Sequence, residues 1–445
     1  MDNNILNIIN QGSHDDLQVL FAHMNAVDIA DVLEHADEEQ AIAAFRRIND
    51  DTLAADVFSY LSPEKQQKIV GELTDIEVVE IMEELHVDDI VDFIEDIPED
   101  LEKRVLDSIS AEKSEQIDRI LDYPEDSAGS VMTTEIVELT VDMTVREALN
   151  SIRVSGVDKE TIYTCYVVDQ NRKLIGVVTA DTLIYAQLIE KIGDLMETSV
   201  IFAEAGDDRE ELANKFSKYD LLAIPVVSRN GQLVGIVTVD DILRVITEED
   251  TEDFAKIAGV SPSDVPYLKT GVFTHARNRI IWLLILMLAA TIAGAIIEIF
   301  EDALVALPIL MAFVPMLMGA GGNAGAQSST VIIRGMSLGE IAVPDLLKLI
   351  WKETRIALFC SFILGTANFI RIFLMYDQDY TLAWVVSLSL TITLVVAKTI
   401  GCMLPILAKV VKLDPAVMAA PIITTIVDVT ALLVFFAIAR VAFGI

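Results

Sequence analysis

The sequence places one carboxylate inside a long apolar segment. Asp428 ends the run APIITTIVD, and counting from Val417 it lies about 16 Å into a bilayer at 1.5 Å per residue, close to the midplane. An ionised carboxylate at that depth is costly by several kcal/mol and persists where it faces a cavity, a cation or a partner charge. Asp428 is therefore predicted to be a cation site.

An ion pair with Lys398 is the structural alternative, because this basic residue lies inside another apolar segment. Lys398 lies about six residues from the cytoplasmic end of its segment, so its long side chain can extend out to water. The two residues differ in depth, which favours the cation site over the pair.

A polar stretch, GAGGNAGAQSST at residues 319–330, follows Pro308 and Pro315 in a second apolar segment. Small residues let helices approach closely, whereas Asn, Gln, Ser and Thr need polar partners in lipid. Locally unwound backbone is tolerated at this depth only against protein or a water-filled cavity. We expect an irregular pore lining here. A tight helix interface, equally served by the glycines, is the alternative.

Five apolar segments must position these groups, at about 280–300, 304–333, 354–375, 382–404 and 417–443. Each is long enough to cross a hydrocarbon core of about 30 Å. Basic residues of the loops lie mostly on one side, which the positive-inside rule assigns to the cytoplasm. The N-terminus carries no secretory signal pattern. We therefore expect a multi-pass protein of the plasma membrane, with a five-helix α transmembrane domain over residues 271–445 and cytoplasmic N-terminal domains.

The charge of the chain lies almost wholly ahead of the apolar part. Residues 1–270 hold 59 of the 69 acidic residues and 21 of the 32 basic ones. A solvated region this acidic repels nucleic acid and raises the local concentration of cations. Nucleic acid is therefore excluded as an expected partner.

Residues 1–126 are predicted to form an all-α superhelical domain with an acidic exterior. Apolar residues recur at helical spacing in short units from Ile5 to Leu121, and capping signals such as Thr74-Asp75 separate the units. A plain helical bundle would give the same signals.

Residues 127–246 divide into two similar halves, 127–190 and 191–246. The segments YVV and GVVT (166–168 and 176–179) match PVV and GIVT (225–227 and 235–238), and Asn230-Gly231 is a favoured tight-turn pair. A duplicated βαββα unit is predicted, and it resembles the cystathionine-β-synthase (CBS) domain pair, an α/β regulatory module. An acidic linking helix, or plug helix, is expected within residues 247–270.

The CBS resemblance implies one adenine-nucleotide site, for ATP or a related nucleotide. The pattern GhhTxxD is complete from Gly235 to Asp241, whereas the first copy has Thr182 where the acid would stand. In the family, residues corresponding to Thr238 and Asp241 can hold the ribose. A purely structural pair without nucleotide is the alternative.

The order of parts, with GGNAGAQSST in the second apolar segment and LDPAVMAAP and TTIVD in the last, resembles the MgtE family of magnesium channels over essentially the whole chain. The resemblance implies a homodimer whose pore lies on the two-fold axis, where Asp428 of both subunits holds a largely hydrated Mg²⁺. It also implies that Asn323 and Asp414 belong to the ion pathway. Mg²⁺ suits such a site because it sheds water reluctantly.

The same resemblance implies cytoplasmic Mg²⁺ sensing by acidic residues of the helical domain, the CBS pair and the plug helix: Asp88, Asp92, Asp208, Glu210, Asp220, Asp241, Glu249, Glu252 and Asp253. At low Mg²⁺ these carboxylates repel one another, and bound cations neutralise them and draw the plug over the pore. For any single acid, a solvated helix face is the alternative.

These features predict passive Mg²⁺ uptake that is gated shut by cytoplasmic Mg²⁺. A broader divalent-cation transporter for Mn²⁺ or Co²⁺, a proton-coupled exchanger and a non-conducting membrane sensor stay open as alternatives. The sequence has no Walker A motif, which argues against an ATP-driven pump. The five histidines have no ligand or triad spacing, so no enzyme is expected.

Overall fold

The computed structural model describes residues 20–21, 23–156, 159–263, 267–268, 270–377, 379–418 and 420–444. The chain divides into two compact units, residues 1–245 and 246–445. The helical spacing expected for residues 5–19 lies outside the described residues.

Short helices fill the first part of the first unit: α1 (Ala26–His35), α2 (Glu38–Phe45), α3 (Asp51–Ser59), α4 (Pro63–Glu72), α5 (Asp75–Glu84), α6 (Val87–Glu95), α7 (Glu99–Leu106) and α8 (Ala111–Leu121). Polar side chains begin several of them; Thr74 and Glu77 form a capping box at α5. Helices two apart in the chain pack together, α1 on α3, α3 on α5, α5 on α7, α2 on α4 and α6 on α8. This arrangement confirms the superhelical domain rather than a plain bundle.

Two copies of a βαββα unit follow: β1 (Glu138–Thr140), α9 (Val145–Ser155), β2 (Thr164–Val168), β3 (Leu174–Thr179) and α10 (Ala180–Tyr185), then α11 (Ile192–Leu195), β4 (Ala203–Glu204), α12 (Arg209–Tyr219), β5 (Ala223–Val227), β6 (Leu233–Thr238) and α13 (Val239–Ile257). In each sheet the first strand pairs parallel with the second, and the third pairs antiparallel. Gly231 turns the second hairpin at a φ of 78°. The predicted duplication is confirmed.

Each copy completes the sheet of the other. The N–H of Thr133 donates to the carbonyl of Ile236 at 2.8 Å, and the N–H of Glu197 donates to the carbonyl of Val177 at 2.8 Å. Beside these bridges Met132 lies against Gly235, at a place where a Cβ would be 2.7 Å from its sulfur. Met196 lies against Gly176 in the same way. The methionines that open the two halves are thus reciprocal packing residues.

Helix α13 is one continuous helix where the sequence predicted two, the closing helix of the second copy and the plug helix. No Gly or Pro interrupts residues 239–258, so nothing in the sequence stops the helix between them. It ends ahead of Gly259, whose φ of 68° is the left-handed conformation common after a helix.

Five stretches of the second unit are long and apolar enough to cross a membrane, as expected: Val272–Ile299, Pro308–Ser337, Val343–Met375, Tyr380–Val410 and Pro415–Phe443. Their α-helices, with one short helix between the first two, are α14 (Val272–Ile299), α15 (Glu301–Ala306), α16 (Val314–Ser337), α17 (Leu346–Met375), α18 (Tyr380–Val410) and α19 (Ala420–Phe443). Helix α18 is central in this unit and packs on α16, α17 and α19, and α16 also packs on α19.

The glycine-rich stretch is helical, so the expectation of unwound backbone there is wrong. Helix α16 is continuous across residues 319–330, and the irregular part is a 3-10 turn at Pro308–Phe313. The glycines act by letting helices approach. A Cβ on Gly325 would lie 2.7 Å from Ile423 of α19, and one on Gly401 of α18 would overlap the carbonyl of Gly325. The close helix interface, weighed as the alternative, is therefore present.

Candidate functional site

Asp428 lies on α19, half-buried, next to the contact between α16 and α19. It follows Val427, whose side chain would be 2.8 Å from a Cβ on Gly321. Among the described residues no hydrogen bond or ion pair is formed by the Asp428 carboxylate, and Lys398 is engaged elsewhere. A carboxylate without a protein partner in an apolar segment is a ready ligand for a cation or its hydration water.

Asn323 lies on an exposed face of α16. We call Gly319, Asn323, Gln327 and Thr330 the polar stripe; all four are exposed in the single chain and recur at helical spacing. The neighbouring Gly322 lies against Thr424 of α19, so the stripe borders the helix that carries Asp428. Exposed amides on a membrane helix need a partner that hydrogen-bonds, such as water or a second chain.

Lys398 does not extend to water, so this expectation is wrong. Its side chain is 7% exposed, and Nζ donates to Oγ of Ser328 at 3.3 Å. The Ser328 hydroxyl in turn donates to Oε2 of Glu353 at 2.6 Å. The ammonium group therefore stays inside the bundle because α16 supplies a hydroxyl and α17 a carboxylate that compensate its charge. We call these three residues the buried charge relay.

Asp414 lies in the turn before α19, at the centre of a second cluster. Its Oδ1 accepts from the N–H of Ala416 at 2.7 Å, and its Oδ2 accepts from Nζ of Lys256 at 2.5 Å. Lys256 is also paired with Glu252, one turn earlier on α13. We call Glu252, Asp253, Lys256 and Asp414 the plug cluster.

Further contacts hold the end of α13 in the second unit. Arg334 donates to Oδ1 of Asp250 at 2.9 Å, and Ser337 donates to Asp253 at 3.4 Å. Burial, and then the nearby Asp414 carboxylate, raise the pKa of Asp253. Glu249 lies partly exposed on the same helix. Two of the expected plug residues, Glu252 and Asp253, thus lie with the expected pathway residue Asp414 around an ammonium group that the sequence did not predict.

Helix α6 brings Asp88 and Asp92 to the start of α13 in the first unit. Arg244 donates to Asp92 at 2.8 Å and to Oδ1 of Asp241 at 3.3 Å. Asp88 is 6% exposed, and its Oδ1 has no hydrogen-bond partner within the described part of the chain. Asp89, which sequence reasoning missed, belongs to the same group. We call Asp88, Asp89, Asp92 and Asp241 the α6 acid cluster.

Burial and mutual repulsion raise the pKa values of this cluster. Burial first, and then Asp241, raise the pKa of Asp88 well above its usual range and that of Asp89 to about 6. Burial also raises the pKa of Asp241, although its bond from Thr238 opposes the shift. Carboxylates held together at such a cost have a free energy to gain from a bound cation.

Asp208, Glu210 and Asp220 are not part of that cluster. Oδ1 of Asp208 accepts from the N–H of Glu210 at 2.8 Å and caps α12, and the residue borders an acidic cleft with Glu95 and Glu125. Asp220 ends the same helix in the left-handed conformation, with a φ of 51°. Two of these three acids therefore have a local structural role at the ends of α12.

The nucleotide-binding pair of the sequence analysis is adjacent in the structure. The Thr238 hydroxyl, on a residue that is 5% exposed, donates to Oδ2 of Asp241 at 2.6 Å. In the first copy the hydroxyls of Thr179 and Thr182 lie 2.9 Å apart. The position of the Asp241 carboxylate is occupied by Thr182 in the first copy, as the sequence has it.

Comparison with known proteins bears on the whole chain. Family models match residues 314–438 (MgtE, divalent cation transporter), 24–126 (MgtE intracellular N domain), and 128–189 and 192–248 (CBS domain). The chain is 33% identical over 439 residues to the magnesium transporter MgtE of Bacillus subtilis, covering 98% of this chain and 96% of that one. The chain belongs to the MgtE family.

Other members agree with this assignment. The MgtE magnesium transporter of Thermus thermophilus is 36% identical over 391 residues, 87% of this chain and 86% of its own. The cytosolic domain of the Mg²⁺ channel MgtE in complex with ATP matches 55% of this chain over its whole length, at 31% identity and a TM-score of 0.53. The soluble part of a magnesium transporter matches 56%, at 29% identity and a TM-score of 0.52.

As an MgtE protein, the chain is a multi-pass membrane protein with a soluble N-terminal region. The structure shows contact residues that sequence reasoning missed, namely Asp89, Arg244, Lys256 and Glu353, and it gives Ser328 of the polar stretch two partners. A weak signal existed for Glu353, an acid at the start of a long apolar helix. For Lys256 the signal was a lone base within the acidic segment EEDTEDFAKIA.

Proposed function

We propose that this chain mediates passive Mg²⁺ uptake across the plasma membrane, with Asp428 as the residue that holds the ion. The observation that carries the proposal is the half-buried carboxylate of α19, which has no partner among the described residues and lies beside the polar stripe of α16. Two features support Mg²⁺ as the substrate: the relatives named as magnesium transporters and the oxygen ligands that the stripe and Asp428 can offer.

The pore of this proposal is shared by two subunits. The polar stripe is exposed in one chain, and its amides find partners if it faces water at a two-fold axis. Asp428 and Asn323 of each subunit would then hold a largely hydrated ion through its waters, without the full dehydration that Mg²⁺ resists. The membrane potential supplies the driving force, about 2.3 kcal/mol per charge per 100 mV.

Gating uses the two acidic clusters. At low cytoplasmic Mg²⁺, repulsion within the α6 acid cluster and the plug cluster loosens both, and α13 leaves the pore mouth. At high cytoplasmic Mg²⁺, ions bind two groups of carboxylates and favour the closed state. The groups are Asp88, Asp92 and Asp241 in the first cluster and Glu252, Asp253 and Asp414 in the second. The remaining expected sensors are Asp208, Glu210, Asp220 and Glu249. They would act at the α12 cleft and along α13.

An adenine nucleotide is proposed to bind the second CBS copy. The Asp241 carboxylate accepts hydrogen bonds and suits ribose hydroxyls, and Thr238 offers an oxygen beside it. The solved relative in complex with ATP supports this ligand class. Because Asp241 also belongs to the α6 acid cluster, the nucleotide would bias the same gate as Mg²⁺.

Ion flux into proteoliposomes tests the proposed pore. Asp428→Asn removes the charge and keeps the shape, so we expect Mg²⁺ influx to fall at least about tenfold, as for loss of one charge-assisted contact of more than 1.4 kcal/mol. Asp302→Asn, at an exposed acid in α15, is the matched control and should conduct normally. Unchanged influx in Asp428→Asn would favour a non-conducting sensor.

The same vesicles separate the remaining alternatives. Mg²⁺ on the cytoplasmic face should suppress influx, and its failure to do so would refute the gate. Influx that requires a pH gradient would identify a proton-coupled exchanger. Equal influx of Mn²⁺ or Co²⁺ would identify a broader divalent-cation transporter.

A further inference from the structure

A histidine and two glutamates meet in the first unit, outside every site described above. His86 directly precedes α6, Glu135 lies ahead of β1, and Glu160 follows α9. One ligand atom from each lies within 4.8 Å of the other two. Nδ1 of His86 is bonded to Oε2 of Glu135 and lies 3.2 Å from Oε2 of Glu160.

The backbone holds these groups in place. The N–H of Glu160 donates to the carbonyl of Glu135 at 3.1 Å, which ties the segment before β1 to the segment after α9 within the first CBS copy. The carbonyl of His86 accepts from the N–H of Ile90 in the first turn of α6 at 3.2 Å, and the imidazole itself makes no capping bond to that helix. The side chain of His86 is thus available for a ligand without cost to the helix.

The cluster contains more hydrogen-bond acceptors than donors. One ring nitrogen can donate one proton, yet two carboxylates face Nδ1, and Glu135 takes the bond. Oε2 of Glu160 is left buried without a hydrogen bond among the residues described, on a side chain that is 14% exposed. A divalent cation at this point would bind both carboxylates and the ring nitrogen at once.

One neighbour attracts a cation to this point, and the charge of another is already compensated. The Asp88 carboxylate, buried and with an Oδ1 that no described residue hydrogen-bonds, acts electrostatically on both His86 and Glu160. A neighbouring base, Lys113, already donates to the carbonyls of Met82, Glu83 and Leu85. Its charge is therefore committed to α5.

We propose that His86, Glu135 and Glu160 bind a transition-metal ion of the Zn²⁺ and Co²⁺ class. Imidazole nitrogen suits these ions, whereas Mg²⁺ prefers oxygen and octahedral geometry. Three protein ligands with a water in the fourth position form a familiar tetrahedral set. The ion replaces the proton of His86, so one proton leaves for each ion bound. The bound ion clamps the N-terminal domain to the first CBS copy.

Cobalt(II) is a suitable probe, because its visible absorption reports the ligand geometry directly. Full-length protein in detergent is titrated with Co²⁺ in a large excess of Mg²⁺, which fills the oxygen-only sites. We expect one tetrahedral-type spectrum per chain, and displacement of Co²⁺ by an equivalent of Zn²⁺. The readout is independent of flux, so it stands or falls separately from the proposed transport.

Variants assign the spectrum to these residues. His86→Gln and Glu160→Gln should each weaken Co²⁺ binding at least about tenfold, since even outer contacts of metal sites contribute that much. His35→Gln, which removes an imidazole from the same domain, is the matched control and should bind as the unmodified chain does. Equal binding by His86→Gln and the control, no tetrahedral spectrum, or its loss to Mg²⁺ at equal concentration would overturn the proposal. Glu160→Gln keeps the side-chain volume and guards against a folding defect in the histidine variant.

Discussion

At the scale of single residues, Lys256 occupies the place that a cation would take in the plug cluster. Its ammonium group lies between Glu252 and Asp414, and although burial lowers its pKa, the hydrogen bonds that it donates to these carboxylates raise the pKa above the ordinary value. A tethered positive charge can hold α13 closed in part even without Mg²⁺. The ion and the lysine would then be competitors for the same oxygens.

Lys256→Gln should raise Mg²⁺ influx when the cytoplasmic face holds no Mg²⁺, because Asp414 and Glu252 then repel each other without relief. Closure by Mg²⁺ should persist, since the carboxylates are intact. Lys409→Gln, which removes an exposed base near the end of α18, is the control. Flux at zero Mg²⁺ that matches the control would show that the lysine does not contribute to closure.

Lys398→Met should destabilise the membrane unit by roughly 3–5 kcal/mol, because Glu353 and Ser328 lose the charge that compensates them in the core. Thermal unfolding in detergent measures the loss. Adding Glu353→Gln should recover part of it, since no buried charge is then left. If the losses in free energy of unfolding for the two single variants simply add in the double variant, Lys398 and Glu353 are not energetically coupled.

Sequence reasoning found the residues that stand out in their own segment and missed those defined by distant partners. Asp428 was recognisable as a lone acid in an apolar run. The burial of Lys398 was not, because it depends on Ser328 and Glu353, which belong to two other helices. Near the end of an apolar helix a lysine usually reaches water, and only tertiary structure supplies the alternative.

At the scale of elements, glycine sets the distance between the membrane helices. Gly401→Ala should destabilise the unit by about 1–3 kcal/mol or more, because the new methyl group would overlap backbone of α16 that cannot rotate away. Gly294→Ala on α14 has no atom within 4 Å and is the control. Equal melting temperatures for the two variants would contradict the proposed close contact between α16 and α18.

The helices themselves were mostly predictable, and their internal regularity was not. Length and hydropathy gave the five spans, but the polar and small residues at 319–330 were expected to unwind the backbone. Packing against α18 and α19 stabilises this stretch as a helix despite the weak propensity of glycine. The two helices expected at 240–258 became one for the opposite reason, since no breaker separates them.

At the scale of the whole molecule, the polar stripe predicts that ion conduction needs two chains. Co-reconstituted unmodified and Asp428→Asn chains would form mixed dimers, and each mixed pore would contain one charge instead of two. Influx from an equal mixture should therefore fall below about half of the unmodified value if one neutral subunit suffices to block conduction. Influx of half that value would indicate that each chain conducts alone.

The reciprocal bridges between the two CBS copies have a consequence for how this module can unfold and how it can be divided. Neither half completes its sheet alone. Met132-Thr133 of the first half packs and hydrogen-bonds on the sheet of the second, and Met196-Glu197 of the second does so on the sheet of the first. A chain cut near residue 190 would expose a glycine-lined groove on both fragments. The two repeats are therefore expected to unfold as one cooperative unit, and a structural change in one repeat should be transmitted to the other.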